Sequence, residues 1–494
     1  MRRKRSDILR LCAITLTGVT LLSTSGCTSS KETASALDPK NPVTITIWNY
    51  YNGDQLTAFE QLIDDFNATA GVEKGIVAVT VSQGDVDTLA DSLLDSVAGK
   101  AGAQNVPSLA SVYSETAYIL DQADALIPLD SYFTEEELSA YIPSFLEEGR
   151  FDETNALLQF PIAKSTEIFA ANKTDWAPFA ADTGIALESL NTKEDLTAAA
   201  QTYYEWTDAQ TPDIPEDGKA LYGRDSVGNY LYLGSYQLGH ELFQVKDGEL
   251  TVDMDRDTFK KLWDNYYIPF INGYFGSYAT FRSEDAKTGK ILALTSSSSG
   301  ISYIPTAVTL ADDTTHDIEL YERAALPFAD ATENAVVQQG ANYCLLKSTP
   351  AEQEGSVEFL KWLTETDRNL NFAIMSGYSP VTETGNTKEA ITEAYSGDTA
   401  TAKGQNMLNA LLLSADAFKN NTAYATKPFH GSKDVRAAME SALNEAATND
   451  RAAVVTAMEN GTSRADAVAP FSTDAYFDEW FSKLCDEVNT LVEE

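Results

Sequence analysis

Apolar and polar positions alternate through Val43-Thr-Ile-Thr-Ile-Trp48, the pattern of a strand with one buried face. Asn52-Gly53 then turns the chain, and Leu56, Phe59, Leu62, Ile63 and Phe66 recur at the spacing of an amphipathic helix. A second strand is predicted over 77–81, and a helix over 87–97 carries Leu89, Leu93, Leu94 and Val97 on one face. Leu109-Ala-Ser-Val-Tyr113 is a third strand. This β-α-β-α-β order predicts a parallel sheet covered by helices. The middle of the chain, 170–325, is richer in helix and aromatics, and further β-like runs stand at 290–294, 324–327 and 342–346. Val357, Phe359, Leu360 and Leu363 mark a later helix, and the last 60 residues read as helical and Ala-rich. No period of 20–50 residues recurs, which excludes a repeat architecture.

With 494 residues the chain is too long for one core, so two domains, or two lobes with interleaved chain, are expected. Charge narrows the partners. Lys+Arg number 35 against 74 Asp+Glu, a net of −39. That excess excludes a nucleic-acid footprint and an electrostatic grip on anionic lipid. It reads as a solvated acidic surface. The four cysteines, Cys12, Cys27, Cys344 and Cys485, match no zinc or redox spacing. Buried free thiols are expected at Cys344 and Cys485, with one disulfide between them left open.

The N-terminus carries the strongest local signal. Arg2, Arg3, Lys4 and Arg5 form a basic n-region, and Leu11–Leu22 an apolar stretch too short to span a bilayer, which needs about 20 residues. Ser23-Thr-Ser-Gly-Cys27 resembles a bacterial lipobox, with Thr24 where that motif prefers Leu. The resemblance implies cleavage after residue 26 and diacylglyceryl modification of Cys27, an anchor of more than one chain. The polar, non-periodic stretch to residue 41 reads as a flexible tether.

In open α/β sheets ligands sit at the carboxyl ends of strands. Asn49-Tyr50-Tyr51, Ser82-Gln83-Gly84, Ser114-Glu115-Thr116 and the Ser-rich run 295–299 occupy those places. They are hydrogen-bonding and aromatic residues, not a catalytic set. Tyr50 and Tyr51 are candidates for stacking on a sugar face.

Over the mature chain TITIWNYY, PSLASVYS, FPIAKSTEIFAANK, TGKILALTSSSSGISYI, QQGANYCLL and SGYSPV follow one another in an order that resembles the family 1 extracellular solute-binding proteins. That resemblance implies an α/β, type II periplasmic-binding-protein-like fold: two discontinuous α/β lobes, a hinge and an interlobe ligand cleft. It implies a first lobe of 42–160 and 328–377 and a second of 161–327 and 378–494. It also implies ABC permease subunits with their ATPase as partners, an extracytoplasmic, lipid-anchored location, and no cofactor. Within the family the glycerol-3-phosphate-binding branch shares a Ser-rich loop and a crossing segment like Pro161 with Ser165-Thr166. By residue this places Ser165, Ser297, Gly340, Tyr378 and Arg436 in the pocket, and Arg436 offers an anion a two-pronged donor. Ser82 stands where that branch has a pocket Tyr, and Ser114 where it has a carboxylate. A sugar or a phospho-ester therefore both stand as ligands.

Competing readings carry less. Asp253, Asp255, Asp257 and Asp264 echo a calcium loop, but Thr258 replaces the required Gly, so a helix start is expected and no metal. No H-E-x-x-H, G-x-S-x-G or Walker motif occurs, and the chain is read as a binder rather than an enzyme. A surface polysaccharide hydrolase and a non-transport adhesion lipoprotein are the alternatives.

Overall fold

The computed structural model describes residues 35–246 and 249–493. The expected signal peptide, Cys27 and the first part of the expected tether lie outside the described residues.

The first strand, β1 (Val43–Asn49), buries Ile45 and Ile47 beneath α1 (Gly53–Ala68), whose Phe59, Leu62 and Phe66 form the facing stripe. Then come β2 (Ile76–Ser82), α2 (Val86–Val97), β3 (Leu109–Val112) and α3 (Ser114–Gln122). β2 and β3 both pair parallel to β1, as the β-α-β-α-β order requires. Trp48 points to the opposite face, where it packs with Leu89, Leu93 and Ala110. The sheet is thus covered on both sides, and β1 sits at its centre.

The second lobe is built around β4 (Glu167–Asn172), buried along its whole length. α4 (Lys193–Asp208), β5 (Tyr222–Arg224), α5 (Val227–Gln237) and α6 (Arg256–Ile271) follow. β6 (Ala293–Ser297) and β7 (Leu320–Ala324) complete a sheet ordered β7-β4-β6-β5. Both late strands are displaced from the runs expected at 290–294 and 324–327. Leu292 N–H instead bonds the Leu221 carbonyl, and Pro327, which lacks an N–H, lies beyond the ladder.

The chain then returns through β8 (Ala335–Val337) and β9 (Asn342–Leu345); β9 joins the first sheet antiparallel to β3. α7 (Pro350–Leu363), α8 (Thr366–Ser376), α9 (Ala402–Asn420), β10 (Thr422–Tyr424), α10 (Ser432–Glu459) and α11 (Asp474–Glu493) end the chain. Phe328 and Val337 pack in the second core, whereas Tyr343, Leu345, Tyr378 and Val381 pack in the first. The crossing back therefore falls at 338–341, later than a boundary at 328, because the Phe328 ring packs against Tyr230.

Three segments cross side by side. Ser165 and Gln339 exchange backbone hydrogen bonds of 2.8 and 3.0 Å, and Lys164 and Ser379 exchange two more. Among the described residues no helix is long and apolar enough to cross a membrane. Cys344 is buried and Cys485 half-buried, and the two are unpaired.

Candidate ligand-binding cleft

A cavity of about 480 Å³ opens where the first sheet's carboxyl edge faces the second lobe. The first lobe contributes the turn after β3: Tyr113, which opens α3, then Ser114, Glu115 and Thr116. The start of α2 adds Asp87, and Glu148 lies behind. The second lobe contributes Asn229 and Tyr232 of α5, Tyr424 of β10, and Lys433, Arg436 and Glu440 of α10. Gln338 and Gln339 of the crossing segment complete the wall. The first residues of helices α2 and α3 thus border the cavity, at the carboxyl edge where an open α/β sheet receives ligand.

Electrostatically the lining is acidic. Asp87, Glu115, Glu148 and Glu440 stand against Lys433 and Arg436. Glu148 is answered by Lys164, which is wholly buried and also donates to the Gly340 carbonyl at 2.8 Å. Burial lowers the Lys164 amine's pKa, against the opposing pull of Glu148. Lys433 reaches Asp91 on the first lobe at 3.3 Å. Arg436 donates to Asn229 Oδ1 at 2.6 Å and lies over the Tyr232 ring at 5.2 Å. Burial alone would lower its pKa, yet it is raised, because Glu115 and Glu440 favour the charged form. The Tyr113 hydroxyl is pushed up to about 12 by burial.

Behind Arg436 a buried network fixes its geometry. Asn229 Nδ2 donates to Glu167 at 3.2 Å and to Gln339 Oε1 at 2.8 Å. Glu167 accepts from Arg224 Nη2 through both carboxylate oxygens, at 3.0 and 2.9 Å. A buried pair survives when such hydrogen bonds satisfy it, and removal of one partner costs about 3–5 kcal/mol. The Asn229 amide is therefore held in one orientation, with its oxygen toward Arg436.

Of the residues expected from sequence, Ser114 and Arg436 line this cavity. The others lie elsewhere. Tyr50 and Tyr378 meet hydroxyl to hydroxyl at 3.3 Å, and the Ala341 N–H donates to Tyr50. Ser297 donates to Ser165 at 3.1 Å and meets Ser299 at 2.9 Å. Gly340 holds φ +100°, and a Cβ there would stand 2.9 Å from the Ala163 carbonyl oxygen. These residues form a hydroxyl-rich cluster beside the crossing, satisfied internally. Tyr51 is 1% exposed and belongs to the first core, its ring 5.3 Å from Phe59 and 5.9 Å from Phe372. Ser82 donates to the Tyr51 carbonyl at 2.8 Å and does not reach the cavity.

Sequence reading missed Tyr113, Glu148, Asn229, Gln338, Tyr424 and Glu440 as lining residues. Glu115 had a signal: it follows Ser114 by one position on the same strand end. Glu148 had none, since a loop carboxylate looks like any other acid. Asp255, one of the calcium-like acids, caps α6 by accepting from Thr258 N–H at 2.8 Å. No cluster of three metal-ligating side chains occurs among the described residues.

The profile of the bacterial extracellular solute-binding proteins matches residues 61–404, most of the chain. The chain belongs to that family. No curated protein matches the sequence. Solved structures share the fold at low identity. The cyclic α-maltosyl-1,6-maltose binding protein of Arthrobacter globiformis is 17% identical, with TM-score 0.61 over 92% of this chain and 99% of that one. UgpB of Mycobacterium tuberculosis, solved with glycerophosphocholine, is 14% identical, with TM-score 0.64 over 92% and 99%. The GacH receptor of Streptomyces glaucescens, solved with acarbose, is 14% identical, with TM-score 0.62 over 91% and 98%. This solute-binding protein thus has the two-lobed type II periplasmic-binding fold, and its family is extracellular.

Proposed function

We propose that this protein captures a neutral, hydroxyl-rich ligand, an oligosaccharide, and delivers it to the permease of an ABC importer. The observation that carries the reading is the lining: carboxylates outnumber cations while Tyr113, Tyr232 and Tyr424 supply aromatic area. Carboxylates accept hydrogen bonds from hydroxyls, and tyrosine rings cover the C–H faces of sugars. A phospho-ester finds the opposite: Arg436 is already engaged by Asn229 and balanced by Glu115 and Glu440. The volume of about 480 Å³ falls within the range of about 300–1,000 Å³ for small-molecule sites. Relatives of the same fold include binders named for maltose-type sugars and one solved with glycerophosphocholine, so both ligand classes belong in the test.

On this reading the ligand bridges the lobes and favours the form in which they close upon it. The hydroxyl cluster of Tyr50, Ser165, Ser297, Gly340 and Tyr378 forms a second contact set, reached when the lobes part. Cys27 carries the lipid anchor. The protein binds its ligand without turning it over.

The test is a thermal-shift and calorimetric titration with maltose, maltotriose, a cyclic maltosaccharide, glycerol-3-phosphate and glycerophosphocholine. Ligand at 100 times Kd should stabilise the native state by about 2.7 kcal/mol. Stabilisation by the neutral saccharides alone is expected. Stabilisation by the phospho-esters alone, lost in Arg436→Ala, would replace the saccharide reading with an anion pocket. Release of cleaved product from a saccharide would show an enzyme.

A further inference from the structure

Charge is distributed unevenly where the lobes meet. The chain carries a net −39, yet between residues 403 and 436 five cations stand against two acids. That stretch runs from α9 through β10 into the first turns of α10. Its lysines reach the first lobe three times: Lys403 to Asp54 at 3.1 Å, Lys427 to Glu147 at 3.0 Å and Lys433 to Asp91 at 3.3 Å. In each pair the cation belongs to the second lobe and the anion to the first.

Lys433 ties this polarity to the cavity. It lines one wall, and Asp91 lies on α2, whose Val86, Asp87 and Ala90 line the wall opposite. The pair therefore bridges the cavity's rim from lobe to lobe. Arg436 stands on the same wall as Lys433, and its charge, opposed by burial, is favoured first by Glu115 of the first lobe. Both cations sit in the first two turns of α10, where the helix dipole disfavours positive charge, and Gly431 gives that end no side-chain cap. Asp434, the acid of the first turn, is exposed. What favours cations at this helix end is the acidic lobe opposite, and that lobe faces them only when the cleft is closed.

We propose that the cations of α10 and of the stretch before it draw the lobes together by charge attraction, so that ionic strength sets the balance of open and closed forms and, through it, the affinity for an uncharged ligand. The inference rests on lobes that close upon a ligand, and on no particular ligand. A neutral ligand has no charge of its own to screen, so a salt effect on its binding reports the protein's own equilibrium: apparent affinity falls with the fraction of molecules able to close. Exposed pairs contribute little singly, but three of one polarity act in the same direction. Shrinking the Debye length from about 30 Å at 0.01 M to about 3 Å at 1 M weakens them together.

The experiment is small-angle X-ray scattering of the unliganded protein, extrapolated to zero concentration. The radius of gyration should rise between about 0.01 M and about 1 M sodium chloride. Lys433→Gln and Asp91→Asn should each raise it at low salt and reduce the salt response. Exchanging the pair, Lys433→Asp with Asp91→Lys, should restore both. A radius indifferent to salt and to the variants would overturn the inference. So would an exchanged pair that restores nothing, because a Lys433 acting on its own lobe alone is not rescued by a lysine at position 91. These readings need no ligand and stand whether or not a saccharide binds. For maltotriose, or another of the neutral saccharides named above that binds, Lys433→Gln should weaken affinity at low salt roughly two- to five-fold. Salt should weaken binding to the unaltered protein as well. Affinity indifferent to salt, beside a radius that responds, would overturn the link from closure to binding.

Discussion

Glu322 stands on strand β7 with Oε2 accepting from Asn409 Nδ2 at 3.0 Å and Oε1 buried without a partner. Burial raises its pKa to about 7, and the single hydrogen bond only partly opposes that. Between the unfolded value near 4.5 and about 7, the folded chain holds a proton that the unfolded chain has lost. Stability therefore falls as pH rises through that window, and the penalty is complete above it. Glu322→Gln should remove this slope and stabilise the protein at pH 8 by about 2 kcal/mol, with little effect at pH 4. Urea denaturation of both forms at the two pH values checks it. An equal effect at both would show that packing, not ionisation, sets the cost.

At the scale of elements, the crossing segment is tightly tied. Ser165, Gln339, Lys164 and Ser379 lock it by backbone pairing, and Gly340 turns it where a side chain has no room. Positive φ of this size is glycine's region, and the nearby Ala163 carbonyl closes the space a Cβ would need. Gly340→Ala should destabilise the protein by about 1–3 kcal/mol. It should also displace the Lys164 amine, which donates to the Gly340 carbonyl. Chemical denaturation gives the first effect and a crystal structure of the variant the second. A neutral substitution would mean that the crossing relaxes freely.

Across the whole molecule the net charge of −39 sets the response to salt. Contacts between the lobes include the exposed pairs Lys403–Asp54 at 3.1 Å, Lys427–Glu147 at 3.0 Å and Lys433–Asp91 at 3.3 Å. Exposed pairs contribute little each, roughly 0–1 kcal/mol. Repulsion within the acidic surface acts at longer range and is screened as the Debye length shrinks from about 30 Å at 0.01 M to about 8 Å at 0.15 M. The unfolding midpoint should therefore rise with sodium chloride over that range in a calorimetric scan. A fall would show that the pairs between the lobes outweigh the self-repulsion.

Local pattern was enough for the first lobe. The alternation in 43–48, the helical spacing from Leu56 to Phe66 and the strand at 109–112 are properties of neighbouring residues, and period and turn chemistry are written locally. The ordered segments that resemble solute-binding proteins pointed to the family that the match over 61–404 shows. The ligand-facing wall was legible only in part. Ser114 and Arg436 came from strand-end logic and resemblance, whereas Glu148, Asn229, Gln338 and Tyr424 are remote in sequence and meet only through the crossing. Tyr51 and Tyr50 show the same limit from the other side. Adjacent in the chain and alike in chemistry, one fills the core and the other reaches Tyr378. Which face of a strand end looks into a cleft depends on the second lobe, and that lobe is placed by contacts hundreds of residues away. Composition and period determined the charge, the first lobe's strands and most of the helices; tertiary packing alone decided which strand ends meet the other lobe and that Glu322 is buried deeply enough to hold its proton.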